Sequence, residues 1–119
     1  MREKGFTMDS RKWQGVSFAN VLEFNMMAAE MTEDLAAQLS KEGNRIHKSI
    51  PTNYAFGAIA TSADGSKFLR ITTGDLRESD DWLDAVELCE MTANREPKDD
   101  AVHICSWDEI GTEAAKYLA

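Results

Sequence analysis

The chain has 119 residues, which is enough for one domain with a single core and too few for two independent ones. Its 43% hydrophobic and 29% charged residues are typical of a folded, soluble protein and exclude a disordered one. The net charge of −8 argues against direct binding to phosphate groups, so nucleic acid is not an expected ligand.

The charge is distributed unevenly along the chain. Residues 75–119 carry 13 acidic and 4 basic side chains, whereas residues 1–74 carry 8 acidic and 9 basic ones. A negative field of this size repels nucleic acid and anionic membranes and attracts basic surfaces. The C-terminal half therefore predicts a partner protein with a basic surface, with no direct contact to nucleic acid or membrane.

The N-terminal residues and the cysteine content predict a cytoplasmic location. Residues 1–12 lack the apolar segment of a secretory signal, and no apolar run approaches the ~20 residues that span a bilayer. Cys89 and Cys105 are too few for a disulfide framework and form no CxxC pair. Residues 1–16 are predicted to be a loosely ordered lead-in to a single α+β domain over residues 17–119.

The first predicted element is a helix over residues 17–42, which contain neither proline nor glycine and are followed by Gly43. Apolar residues at helical spacing predict its buried face. These residues are Val21, Phe24, Met31, Leu35 and Leu39. The residues predicted to lie on the opposite, solvent-facing side are Glu23, Glu30, Asp34 and Lys41.

The apolar surface of this helix is widest in its first half. The residues that widen it are Phe18, Leu22, Met26 and Met27. Methionine suits both irregular cores and adaptable interfaces, so core packing and contact with a second chain both stay open. These four residues are the candidate interface of a homodimer or of a larger assembly.

A change to a two-residue period after Pro51 predicts a β-hairpin with strands over residues 54–61 and 67–72. Asp64 and Gly65 between the strands are typical of a tight turn. The basic segment 41–48 that precedes the hairpin is interpreted as a connector. Aromatic and basic residues on the hairpin superficially match a nucleic-acid platform, which the negative charge disfavours. They are Tyr54, Phe56, Lys67, Phe68 and Arg70.

A second helix is predicted to begin at Ser79 and to end before Pro97. Its apolar side would hold Trp82, Ala85, Val86, Cys89 and Ala93. Its acidic side would hold Asp80, Asp84, Glu87 and Glu90. This acidic side, together with Asp99 and Asp100, is the predicted partner-binding surface, although a solvated face that aids solubility would show the same pattern.

The last predicted elements are a strand over residues 101–105, in which Val102 and Ile104 alternate with His103 and Cys105, and a C-terminal helix. A capping box from Ser106 to Glu109 is expected to begin this helix. The element order is helix, strand, strand, helix, strand, helix. It predicts an α+β fold with helices on one face of a three-stranded, mainly antiparallel sheet.

His103 and Cys105 are the pair that most invites a catalytic or metal-binding interpretation. Side chains two residues apart on a strand stand ~6–7 Å from each other, which is too far for a thiolate–imidazole hydrogen bond. His47 is the other histidine of the chain and falls in no metal-ligand spacing with them. We therefore predict no catalytic residue, no metal site and no cofactor.

The leading hypothesis is a small acidic module that binds a partner protein and occludes a basic, for example nucleic-acid-binding, surface on it. Immunity proteins and phage anti-defence inhibitors act in this way as a class, and the comparison rests on charge and size alone. The alternative is a small homodimeric enzyme or ligand-binding subunit with a pocket between helix and sheet. In that alternative, the groups to test are His103, Cys105 and Arg70.

Overall fold

A computed structural model of the chain describes residues 21–50, 55–74, 83–92, 94 and 96–119, and for residues 21–25 and 99–101 it describes the backbone. The elements within these ranges are α1 (Val21–Ser40), β1 (Arg45–Ser49), β2 (Gly57–Thr61), β3 (Phe68–Thr72), β4 (Val86–Met91), β5 (Pro97–Cys105), a 3-10 turn (Trp107–Glu109) and α2 (Ile110–Leu118). The predicted α+β class is confirmed.

The five described strands form one antiparallel sheet in the order β1-β2-β3-β4-β5. Each strand pairs with the next one along the chain, so the sheet is a meander whose outermost described strands are β1 and β5. The pairing of β4 with β5 is irregular. Cys89 pairs with Val102 and Met91 pairs with Pro97, so two positions along β4 correspond to five positions along β5. Part of β5 therefore bulges away from β4.

Both helices pack against the same face of the sheet. The sheet side chains of this core are Ala58, Ala60, Leu69, Ile71, Val86, Leu88 and Cys105. The helix side chains that cover them include Met31, Leu35 and Leu39 from α1 and Ile110, Ala114 and Leu118 from α2. Because successive side chains of a strand point to opposite faces, the residues between these sheet positions lie on the face that α1 and α2 leave uncovered. We call it the open face with respect to α1 and α2 alone, because Ile59 and Cys89 on this face are buried.

Helix α1 ends at Ser40, two residues before the predicted end, and the chain turns at Gly43 as predicted. Gly43 has a φ of 81°, which a residue with a side chain rarely adopts. The N–H of Gly43 donates to the Ser40 carbonyl at 3.0 Å, and the N–H of Asn44 donates to the Leu39 carbonyl at 3.1 Å. These two bonds satisfy carbonyl groups that the last turn of the helix leaves open.

The prediction of a connector over residues 41–48 is wrong in its second half, because Arg45–Ser49 forms β1. Ile46 is half-buried, whereas the other four side chains of β1 are exposed, so no apolar alternation marks the strand in the sequence. Pairing with β2 is what makes this segment a strand.

The second predicted helix is wrong over residues 86–91, which form β4; its predicted start at Ser79 lies outside the described residues. Val86 and Cys89 are three residues apart and fit a helical period, whereas Leu88 is two residues from Val86 and shares its side only in a strand. Pairing with β3 on one side and with β5 on the other satisfies the backbone of this segment as a strand. With β1 and β4, the described sheet has five strands and not the predicted three.

The predicted hairpin is confirmed as β2 and β3, which pair from Gly57–Thr72 to Thr61–Phe68. The turn contains Gly65 with a φ of 77°. The predicted capping box at Ser106 does not form, because its side chain makes no capping bond and the N–H of Glu109 donates to the Ser106 backbone carbonyl at 3.1 Å.

The two described helices differ from membrane-spanning helices in length or in composition. Neither combines the length and the apolar character that crossing a bilayer requires. Helix α1 has 20 residues, and four of them are acidic.

Candidate functional site

Two β-branched side chains of β5 are exposed on the open face of the sheet. Val102 has 47% of its surface exposed and Ile104 has 49%. Val102 pairs in register with Cys89, and Ile104 pairs with Glu87, so all four side chains point away from the helices. Side chains two residues apart on a strand stand ~6–7 Å from each other, and Val102 and Ile104 therefore form one apolar pair.

An exposed carboxylate lies beside this pair. Glu87 is exposed on β4 and is the register partner of Ile104. Directly opposed residues of an antiparallel pair have Cβ atoms ~4.5–5.5 Å apart, so the Glu87 side chain is within reach of Ile104. We refer to Glu87, Val102 and Ile104 as the β5 surface.

The chain around the β5 surface is strongly acidic. Residues 83–109 contain eight acidic side chains and two basic ones, Arg95 and Lys98. The Nζ atom of Lys98 lies 3.7 Å from Oε1 of Glu90, so this carboxylate partly neutralises the lysine charge. Carboxylates thus outnumber basic groups around the apolar pair, and Arg70 of β3 is a cation on the same face of the sheet.

The structure separates the acidic residues that the sequence placed on one helix face. Residues three apart share a side of a helix but point to opposite faces of a strand. Glu87 accordingly lies on the open face, whereas Glu90 pairs in register with Leu69 and points to the helix side. Asp84 is exposed in the turn before β4, and Asp80 lies outside the described residues.

Asp99 and Asp100 lie in β5, in the part of the strand that bulges away from β4. They precede Val102 on the same strand, so the predicted acidic rim and the apolar pair occupy one element. This connection was not visible in the sequence, because residues 97–100 carry no strand pattern.

The residues of the predicted oligomer interface do not share one environment. Met27 is 6% exposed and belongs to the core, whereas Met26 is 67% exposed. Leu22 is part of α1, and Phe18 lies outside the described residues. Of the four, Met26 is the one whose side chain is described at the surface.

The three groups of the enzyme alternative do not converge on one site. His103 pairs in register with Leu88 and points to the helix side, where its Nε2 lies 2.9 Å from Oε1 of Glu113. Arg70 pairs with Cys89 and lies on the open face. The sheet itself therefore separates the arginine from the histidine.

Cys105 is buried on the helix side of the sheet. Burial, together with the nearby carboxylates of Glu113 and Glu109, raises the pKa of its thiol to about 11. Since the thiolate is the nucleophile, a thiol that stays protonated at neutral pH is a poor one. Cys89 is also buried but faces the open side, so the two cysteines do not face each other.

Two clefts lie between sheet and helix, at the end where β3 begins. A cleft of about 370 Å³ is lined by residues that include Asn44, Ser62 and Leu118, and a cleft of about 430 Å³ is lined by residues that include Lys98 and Tyr117. Lys67 borders both, and its Nζ contacts the backbone oxygen of Ala119. Their described linings contain none of the three groups of the enzyme alternative. Within the described ranges, no group of three or more potential metal ligands comes together.

A buried polar cluster between α1 and α2 was not predicted. Asp34 was expected on the solvent face of α1 but is 3% exposed. Its Oδ2 accepts hydrogen bonds from Nε1 of Trp107 at 2.6 Å and from Nε2 of Gln38 at 3.0 Å. Oε1 of Gln38 in turn accepts the backbone N–H of Gly111 at 3.2 Å. Because Asp34 and Gln38 flank Leu35 and Leu39 at helical spacing, their place beside the core stripe was the signal available in the sequence.

The Asp34 cluster links α1 to the 3-10 turn and to α2. Burial raises the pKa of Asp34, while the hydrogen bonds from Trp107 and Gln38 act in the opposite direction. Both donors belong to the chain itself, and the carboxyl group is closed off from solvent. The cluster therefore fixes α2 against α1.

Comparisons with known proteins add no assignment to this geometry. The chain matches no protein family, no curated protein and no solved structure.

Proposed function

We propose that this protein binds a partner protein with a basic surface, and that it does so through the β5 surface. The observation that carries the proposal is the apolar pair Val102 and Ile104, about half exposed, beside the exposed Glu87. A few apolar anchors surrounded by polar groups are the usual arrangement of residues that dominate the binding energy of an interface.

The acidic surroundings supply the second part of the proposed mechanism. Eight carboxylates against two basic side chains over residues 83–109 attract a basic surface and accelerate its approach. Burial of Val102 and Ile104 then slows dissociation, because the apolar contact forms after the encounter. Steering and anchoring thus depend on different residues and can be measured separately.

The same chemistry supports an inhibitory role for the complex. A basic protein surface that accepts carboxylates in this arrangement is also a surface that attracts phosphate groups. Occupation of that surface by this protein excludes nucleic acid from it. The protein is in this proposal an inhibitor that competes with a nucleic acid for its partner.

The steering part of the proposal is tested with a charge reversal and a matched control. The partner is first captured from the host lysate at low salt, and its association with the purified variants is then timed. Glu87→Lys is expected to slow association by about tenfold and to weaken its dependence on salt. The control is Glu33→Lys, which changes the net charge equally at an exposed position of α1. Equal slowing by both variants would show that net charge matters and the β5 surface does not.

The anchoring part is tested by removing apolar surface. The double variant Val102→Ser, Ile104→Ser is expected to accelerate dissociation by about tenfold to a hundredfold. Met26→Ser removes an exposed apolar side chain elsewhere and is the matched control. Displacement of a nucleic acid from the captured partner by the native chain, but not by the double variant, would support inhibition by occlusion.

A further inference from the structure

We infer that the partner adds a β-strand to the outer edge of β5 along residues 101–105, and that the added segment alternates basic with apolar side chains. This inference rests on the proposed function and specifies both the binding mode and the chemical class of the partner. An added strand would gain backbone hydrogen bonds as well as the side-chain contacts already described.

Strand β5 is the outermost described strand on its side of the sheet. It has nine residues, whereas the other four strands have five or six. Alternate N–H and C=O groups of an edge strand point away from its neighbour and are available to another strand. A long edge strand of this kind is a template for pairing.

Most of the described sheet edge carries features that discourage pairing. Strand β1 is short, has a register irregularity between Ile46 and Lys48 and exposes charged side chains. The first half of β5 contains Pro97 and Lys98 and bulges away from β4. Proline, lysine and bulges are the usual means by which proteins keep edges from pairing. Residues 101–105 contain none of them, and their register with β4 is regular from Val102 to Cys105.

The side chains along residues 101–105 define what an added strand would meet. On the open face, Val102 and Ile104 would lie directly beside it and favour β-branched side chains at matching positions. Acidic residues flank the pairing segment at both ends, with Asp99 and Asp100 before it and Asp108 and Glu109 after it. Lysine or arginine at the ends of the added strand would complement these charges, and at the alternate positions it would point to the helix side, where the Glu113 carboxylate lies beside His103.

Charge disfavours a second copy of this chain as the occupant of the edge. Symmetric antiparallel pairing of two β5 strands would bring together two strands that each contain Asp99 and Asp100. Each copy also carries a net charge of −8, so approach is opposed at long range. A basic segment of another protein meets neither obstacle.

The test uses the full chain, isotope-labelled for NMR, and a short peptide that alternates lysine with valine. In the free protein, the amides of residues 101–105 that point away from β4 are expected to exchange rapidly with solvent. Saturation with the peptide is expected to slow their exchange by about tenfold or more. The matched control is the same peptide with N-methyl groups on alternate residues, which keeps the charges and side chains but removes the edge donors.

The outcomes separate this inference from the proposed function. Equal binding of both peptides, with Glu87→Lys weakening both, would retain docking at the β5 surface and overturn strand addition. Slow exchange of the same amides in the free protein would show that the edge is already occupied, and would also overturn the inference. If millimolar peptide does not slow the exchange of these amides, strand addition is overturned. If capture of the partner still depends on Glu87 in that case, the proposed function is retained.

Discussion

Replacement of Asp34 by alanine is expected to destabilise the protein, because the indole N–H of Trp107 loses its acceptor at 2.6 Å. Nε2 of Gln38 also donates to the Trp107 carbonyl at 3.4 Å and so keeps a partner. A buried donor without a partner costs about 1–3 kcal/mol, and we expect the free energy of unfolding to fall by that amount at neutral pH.

Replacement of Asp34 by asparagine is expected to have a much smaller effect. The amide keeps an acceptor oxygen for Trp107 and has nearly the same shape, but it carries no charge. Oδ1 of Asp34 is buried with no hydrogen-bond partner among the described residues, so the native carboxylate is incompletely stabilised. Removal of a poorly compensated buried charge offsets what the substitution loses, and we expect a change below about 1 kcal/mol.

The pH dependence of the two proteins should differ in a defined direction. Burial raises the pKa of Asp34 above 3.8, with Asp108 raising it further and Lys41 lowering it. The native state therefore holds this proton more tightly than the unfolded state. The stability that Asp34 contributes is fully present below the unfolded pKa and is lost as the pH rises through the native pKa. The native chain should consequently gain stability relative to Asp34→Asn as the pH falls from neutral toward 4.

Urea unfolding of the native chain, Asp34→Asn and Asp34→Ala, followed by circular dichroism between neutral pH and about pH 4, measures these differences. Subtraction of the asparagine variant cancels the titration of the other carboxylates, which is why the difference is informative. A difference that does not change with pH would contradict a raised pKa of Asp34 in the native state. An asparagine variant as unstable as the alanine variant would contradict the role of the side-chain oxygen as acceptor for Trp107.

Three further predictions concern single contacts. Gly111→Ala should lower the free energy of unfolding by about 1–3 kcal/mol, because the new Cβ would lie 2.9 Å from the Gln38 carbonyl oxygen; urea unfolding measures this. Cys89 and Cys105 are buried and should resist a thiol reagent at pH 8 in the folded protein, although both react after unfolding; rapid labelling of either would contradict their placement. Asp64 accepts hydrogen bonds from Ser66 and Ser62, which lower the pKa of its carboxyl to about 2, so an NMR titration should show that midpoint and Ser66→Ala should raise it.

The lowered pKa of Asp64 also predicts how its contribution to stability changes with pH. Its folded pKa lies below the unfolded value of 3.8, so its contribution is present above 3.8 and is lost as the pH falls through about 2. This is opposite to Asp34. The contrast arises because Asp64 is surrounded by hydroxyl and amide donors in a turn, whereas the environment of Asp34 is dominated by burial.

The candidate site was predictable in its charge but not in its shape. The sequence identified Glu87 among the acidic residues and the alternation of Val102 and Ile104 with His103 and Cys105. It did not place Glu87 beside Ile104, because the helical period predicted for residues 86–91 put the acidic residues on one common face. The register of β4 with β5 created the neighbourhood of carboxylate and apolar pair.

Features that depend on neighbouring residues could be predicted from the sequence: the turn at Gly43 after α1, the β2–β3 hairpin around Gly65 and the alternation in β5. Turn geometry and helix termination are properties of a few consecutive residues, so their signals are local. The tertiary structure alone decided that residues 86–91 form a strand, that Arg45–Ser49 joins the sheet and that Asp34 is buried. Strand pairing and burial depend on residues far apart in the chain, and a pattern compatible with two structures is resolved by the partner that satisfies its backbone.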